Sequence, residues 1–273
     1  MIRFAAALLA VLAAPVAAQE RIPSHCIALA QGPETVMRAN FRDPLPADTV
    51  RISYLDHAMF LIQTPDGTSA MTDFTGWYGN VDFVPDVVTM NNAHSTHWTS
   101  APDPAIPHVL QGWAGADGPA EHYLDLGQML VCNVTTDVRS SSRPGPTAST
   151  RIDGNSIFVF EAAGLCIGHL GHLHHEPTPT QYALLGRMDV VMVAVDGGLT
   201  LDHPSVIRVM ERLRSSVVIP MHWFGRSTLD AFLVGMSEQF AIERTGESSI
   251  VLSLADLPDT PTVVVLEPQV LSD

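Results

Sequence analysis

The sequence predicts a layered α/β or α+β domain, with two β-sheets inside and helices outside. Short runs rich in β-branched residues recur along the whole chain, and the second half interleaves them with segments of helical periodicity. A third observation concerns chemistry. Of 12 histidines, several follow strand-like runs directly: His94 and His97 after DVVTM, His169, His172, His174 and His175 after GLCI, and His222 after VVIP. Imidazoles delivered to strand ends from three separate segments are how α/β proteins gather metal ligands.

The chain begins MIRFAAALLAVLAAPVAAQE, with one basic residue at Arg3, an apolar stretch over residues 4–12, and small residues at Val16 and Ala18. This reads as a secretory signal peptide, 1–18, and predicts a periplasmic or secreted protein. No other stretch approaches ~20 apolar residues, so no integral membrane span is expected.

RISYLDHAMFLIQTPDGTSAMTDF holds two apolar runs around Pro65-Asp66-Gly67, which predicts a β-hairpin. VPDVVTM predicts a short buried strand leading into the His94 loop, and GQMLVCNVTT another strand. Residues 139–155 are rich in Ser, Pro and Gly and read as a mobile loop near the site. SIFVFEA, Gly164 and LCIGHL form a second hairpin pattern. TPTQYALLGRM reads as helix, DVVMVAVD as strand, and HPSVIRVMERLRSS as an amphipathic helix begun by Asp202 and Pro204. VVIPMHW, the amphipathic TLDAFLVGMSEQFA, and the strands SSIVLSL and TVVVLEP complete the pattern.

A net charge of −15, with 14 basic residues scattered among 29 acids, excludes nucleic acid and anionic membrane surfaces as partners. A small-molecule substrate is expected, and the acidic surface disfavours a highly anionic one unless local charge reverses it. Nothing in the chain bears on oligomeric state. Cys26, Cys132 and Cys166 form no CxxC pair and allow at most one internal disulfide. Cys132 and Cys166 read as buried core thiols and Cys26 as free.

Several linked motifs resemble the metallo-β-lactamase fold superfamily, and within it the UlaG-like metal-dependent hydrolases. The opening strand and Asp56-His57-Ala58 turn, the MTDF segment ending in Asp73, the hairpin into His169-Leu170-Gly171-His172, and VVIPMHW ending near His222 stand in that order. The resemblance implies an αββα sandwich of two mixed sheets packed face to face, over residues 51–273, with 19–50 as an N-terminal extension.

The ligand motif departs from the family pattern His-x-His-x-Asp-His, because this chain reads Asn92-Ala93-His94-Ser95-Thr96-His97. His172 stands where the family carries a bridging Asp, and Asp137 lies near the position of its middle histidine. The resemblance then implies a set of His94, His97, His172 and His222 around one divalent metal, with zinc ahead of iron. Three imidazoles and an open position lower the pKa of bound water enough to supply hydroxide at neutral pH. Asp73, His57 and Asp196 are candidate catalytic residues that orient the nucleophile, and His57 could equally hydrogen-bond a neighbouring loop. His169 is expected to support ligands and His174 to be exposed. Trp98 and Trp223 could wall a pocket or pack in the core, and His108, His122 and His203 have no evident partner.

The expected activity is an exported metal-dependent hydrolase, using metal-bound hydroxide on an ester, lactone or phosphodiester type bond. Two alternatives stand beside it: a non-catalytic metal- or ligand-binding relative, and a mononuclear iron oxidase of a sulfur compound.

Overall fold

The computed structural model describes residues 40–140 and 149–272. The expected signal peptide, Cys26 and residues 141–148 of the Ser/Pro/Gly-rich loop lie outside the described residues.

The chain opens as a meander, β1 (Thr49–Asp56), β2 (Met59–Gln63) and β3 (Ser69–Met71), each antiparallel to the next. The first apolar run therefore breaks at His57, and Pro65-Asp66-Gly67 joins the second and third strands. The two-residue β4 (Gly79–Asn80) is followed by β5 (Val87–Met90) and β6 (His108–Gln111), which continue parallel to β3. Then β7 (Tyr123–Asp125), β8 (Met129–Arg139), β9 (Thr150–Ala162) and β10 (Leu165–His169) form a second antiparallel run.

The rest alternates: α1 (Pro179–Leu185), β11 (Val190–Ala194), α2 (His203–Leu213), β12 (Val217–Met221), α3 (Arg226–Met236), β13 (Ala241–Arg244), β14 (Ser249–Ser253), β15 (Thr262–Val265) and β16 (Leu271–Ser272). One sheet has the order β14-β1-β2-β3-β5-β6 and the other β13-β15-β12-β11-β10-β9-β8-β7, while β16 pairs with β4 alone. Both large sheets mix parallel and antiparallel pairs, as the family resemblance implies.

Period-two alternation explains the layers. Val50, Ile52, Phe60 and Ile62 point inward from the first sheet and meet Phe158, Phe160, Met192 and Ile219 from the second in one buried cluster. Their neighbours Ile157, Val159, Val191 and Val218 face the other way, against Val206, Val209 and Met210 of α2 and Phe232, Leu233 and Met236 of α3. Asp202 caps α2 by accepting from Ser205 N–H at 2.9 Å, and Thr178 with Gln181 forms a capping box on α1. The outer face of the first sheet, with Leu61, Met71 and Val88, is covered among the described residues by loop aromatics such as Tyr78, Trp98 and Trp113.

Two expectations change. Residues 150–155 are strand rather than loop, because β9 begins at Thr150 and pairs Arg151 with Val138 of β8. Cys166 is not a core thiol but is disulfide-bonded, whereas Cys132 is free. Of the two roles open to Trp98 and Trp223, both take packing, each half-buried: Trp98 sits edge-on to Trp113, with ring centroids 5.7 Å apart, and Trp223 edge-on to Tyr54 at 5.4 Å.

Candidate metal centre

Strand direction alone brings the histidines to one edge. β1 and β3 are each antiparallel to β2 and so run alike, β5 follows β3, and β10, β11 and β12 are mutually parallel. The residues just beyond these strands are His57, Asp73, the 91–97 loop, Leu170 to His174, Asp196 and His222.

His57, His97 and His222 offer nitrogen atoms that all lie within 4.8 Å of one another, and so do His94, His97 and His172. His97 belongs to both groups. Its Nδ1 lies 2.6 Å from Asp73 Oδ2, both side chains being fully buried. Burial alone would raise the Asp73 carboxyl, but His97 beside it and the Asn91 N–H on its other oxygen, at 2.9 Å, hold it below the usual range. Asp73 is therefore an anion that fixes the His97 proton on Nδ1 and leaves Nε2 bare. His222 is arranged alike: Nδ1 lies 3.0 Å from Asp196 Oδ2, close though off a straight hydrogen-bond line. Asp196 is also held below the usual carboxylate range against the effect of burial, by His222 and by Thr200 and Gly198.

The two Nε2 atoms, of His97 and His222, face each other at 3.2 Å. With the proton of each ring on Nδ1, beside its carboxylate, the two Nε2 lone pairs repel at that distance unless a cation lies between them. A tetrahedron with Zn–N bonds of about 2.0 Å has an edge of about 3.3 Å, so the donor set fits a divalent ion.

Backbone strain sits at the same place. His57, Asp73 and His222 have φ of 42°, 44° and 60°, left-handed for residues that carry a Cβ. The His57 carbonyl accepts from His222 N–H at 2.8 Å and from Tyr54 Oη at 2.7 Å, tying the first sheet's turn to the end of β12. The His57 and His222 rings lie 4.0 Å apart. Burial, then His222 and His97, push His57 down to about 3, and His172 is likewise lowered by burial and by His97. These rings are neutral near pH 7 and present lone pairs, as a metal requires.

The supporting residues are buried. His169 donates from Nε2 to the Ala58 carbonyl at 2.7 Å, while Asn91 Nδ2 and Gly171 N–H approach its Nδ1 at 3.1 and 3.2 Å, so it supports and does not face the cluster. Asn155 Oδ1 accepts from His172 N–H at 2.9 Å. Neither Asn91 nor Asn155 was singled out by the sequence. Asp137 occupies a bulge in β8 and accepts from Asp153 N–H, and Asn92 accepts from Arg151, so neither joins a histidine group. His122 and His203 bond the carbonyls of Gln111 and Val195.

The expectation of an exposed His174 is overturned: it is 5% exposed, because Arg139 folds over it, with Arg139 N–H donating to its Nδ1 at 2.7 Å. Burial and Arg139 lower it to about 3. His94, by contrast, is exposed, with its Nδ1 3.1 Å from Thr96 Oγ1. A cavity of about 610 Å³ opens over His94, His172, His174 and His222. Its walls include Arg139, Arg151, Leu199 and Phe224, but neither Trp98 nor Trp223.

A family model described as a beta-lactamase superfamily domain matches residues 51–222. Among solved structures, the chain resembles a protein from Thermotoga maritima assigned as a Zn-dependent hydrolase of the metallo-beta-lactamase superfamily. Identity is 27%, the TM-score 0.56, and the match covers 81% of this chain and 100% of that one. A protein from Parabacteroides distasonis assigned as a metal-dependent hydrolase shares the fold at 12% identity and TM-score 0.55, over 83% of this chain and 98% of that one. No curated protein matches the sequence.

Proposed function

This chain belongs to the beta-lactamase superfamily, with the fold and histidine cluster of a metal-dependent hydrolase, and we propose that it cleaves an ester, lactone or phosphodiester type bond around one divalent cation. The 3.2 Å approach of His97 Nε2 to His222 Nε2, each ring backed by a carboxylate, carries this reading. One ion rather than two follows from His97. Its Nδ1 is engaged by Asp73, so its single remaining nitrogen serves one cation, and the two overlapping histidine groups offer alternative partners for that ion. His222 with His57, or His94 with His172, completes the set.

Zinc is the expected metal, from the imidazole donors and from the Thermotoga relative, with iron second. Such an ion supplies Lewis acidity and lowers the pKa of water. The chain's own part is positional: Asp73 and Asp196 keep the His97 and His222 lone pairs aimed, and the cavity walls hold the substrate over them. The Asp56-His57-Ala58 turn and the terminal His222 favour the UlaG-like branch.

We place the protein outside the cytoplasm on the character of residues 1–18. Sequencing the N-terminus of periplasmic protein is expected to start near Gln19, and an intact Met1 confined to the cytosol refutes export. The central test is metal content by plasma mass spectrometry. About one equivalent is expected in the wild type and loss in His97→Ala and His222→Ala, followed by turnover of aryl esters, lactones or phosphodiesters that disappears with the metal. A wild-type protein that takes up no zinc or iron sinks the reading.

A further inference from the structure

We propose that His174 is a fixed hydrogen-bond donor to the substrate and that, together with Arg151, it selects a substrate bearing an anionic carboxylate or phosphate group on an apolar body. The inference deepens the hydrolase reading and rests on it only in taking the cavity as the place of reaction.

The tautomer of His174 follows from its contacts. Its Nδ1 accepts the Arg139 N–H at 2.7 Å, so the ring proton is on Nε2. That Nε2–H is buried and has no hydrogen-bond partner, although the residue lines the cavity. A buried donor left unpaired is costly, and a ligand that accepts from it accounts for its survival. The His174 ring centroid lies 4.7 Å from that of His172, which places the donor beside the candidate ligands.

The rest of the wall agrees in sign. Among the described residues the lining holds Arg139 and Arg151 and neither Asp nor Glu, so in a chain of net charge −15 the wall itself carries positive charge. Arg139 is committed to structure, donating to the carbonyls of His174, Gly198, Leu199 and Thr200. Arg151 is held from one side only: its Nη2 donates to Asn92 Oδ1 and the Gly154 carbonyl, and its Nη1 has no partner among the described residues. An imidazole N–H and a guanidinium both donate, so the group they receive must offer acceptor lone pairs, and a carboxylate or phosphate does so best because its charge also attracts the guanidinium. Leu199 and Phe224, 38% and 65% exposed, complete the wall with apolar surface.

The test is calorimetric titration with phenylphosphonate, benzoate and the neutral benzyl alcohol, on the protein as isolated and after chelation. Wild type is expected to bind at least one anion about tenfold or more tightly than the alcohol. His174→Phe, which keeps an aromatic ring without the donor, and Arg151→Gln are each expected to weaken the anion by about tenfold. His174→Gln, which restores a donor, recovers most of the loss, and metal content stays at the wild-type level in all three. Whichever anion binds more tightly names the substrate's group. Equal binding of the alcohol, no binding of either anion, or unchanged affinity in both His174→Phe and Arg151→Gln overturns the inference. Anion binding that vanishes on chelation and ignores both substitutions means that the ion alone holds the anion, which defeats this inference and leaves the metal centre standing. Anion binding that depends on His174 and Arg151 in a protein taking up no metal defeats the hydrolase reading instead.

Discussion

A carboxylate at Nδ1 decides which nitrogen of an imidazole meets a metal, and at His97 that carboxylate is Asp73, 2.6 Å away. Asp73→Asn preserves the shape but lets the amide donate, so the His97 proton is free to move to Nε2 and compete with the ion. Metal affinity is expected to fall about 10- to 100-fold, read as a shift in zinc dissociation constant by chelator competition. Affinity within twofold of wild type would show that Asp73 does not set the tautomer. Much of this residue-scale arrangement is legible in the chain, because His94, His97, His172 and His222 follow strand-like runs and Asp73 ends one. For His57 the chain leaves open whether it orients the nucleophile or bonds a neighbouring loop, and the fold puts its ring 4.0 Å from that of His222. Buried His174 escaped because its neighbour Arg139 lies 35 residues away across a sheet, and Asn91 escaped because its amide meets the Ser156 carbonyl 65 residues on. Such pairings have no local pattern to betray them.

The turn after β10 shows how an element's ending sets a ligand's position. Gly171 has φ of 59°, and a Cβ there would come within 2.5 Å of Asn91 Cβ and 2.7 Å of Asn155 Oδ1. Gly171→Ala is expected to destabilise the fold by roughly 1–3 kcal/mol and to displace His172, whose N–H hangs on that same Asn155 oxygen. Thermal unfolding and metal content together check it, and an unchanged pair of values contradicts the steric argument. At α2 the expected effect is smaller and purely structural: Asp202→Ala removes the cap bond to Ser205 N–H, costing about 1 kcal/mol and about 2–4 °C in melting temperature, with metal binding unchanged. The helices and long strands were readable because periodicity and caps coincide in them. The wholly exposed β13 and the short β4, β7 and β16 were not, since their pairing comes from neighbouring strands rather than from their own side chains. Residues 150–155 mislead for the same reason, their loop-like composition being overruled by the long ladder with β8.

At the scale of the whole molecule, the candidate centre joins the two sheets at their shared edge. His57 and His97 follow strands of the first sheet, and His172 and His222 follow strands of the second. An ion held between them exists only in the folded protein, so binding must add to global stability by mass action, about 2.7 kcal/mol at a free concentration one hundred times the dissociation constant. Chelation is therefore expected to lower the melting temperature on the order of 5–10 °C, with recovery on adding zinc. The sheets already share a large buried core, including Ile52, Phe60, Phe158 and Met192, so the metal-free protein is expected to remain folded. The control is His97→Ala, which lacks the nitrogen common to both histidine groups and should show no response to chelator, while Arg151→Gln, which removes no member of either group, should respond like wild type. A melting temperature indifferent to chelator in the wild type would mean that the histidine edge holds no ion at working concentration. A response preserved in His97→Ala would place the ion elsewhere than between His97 and His222.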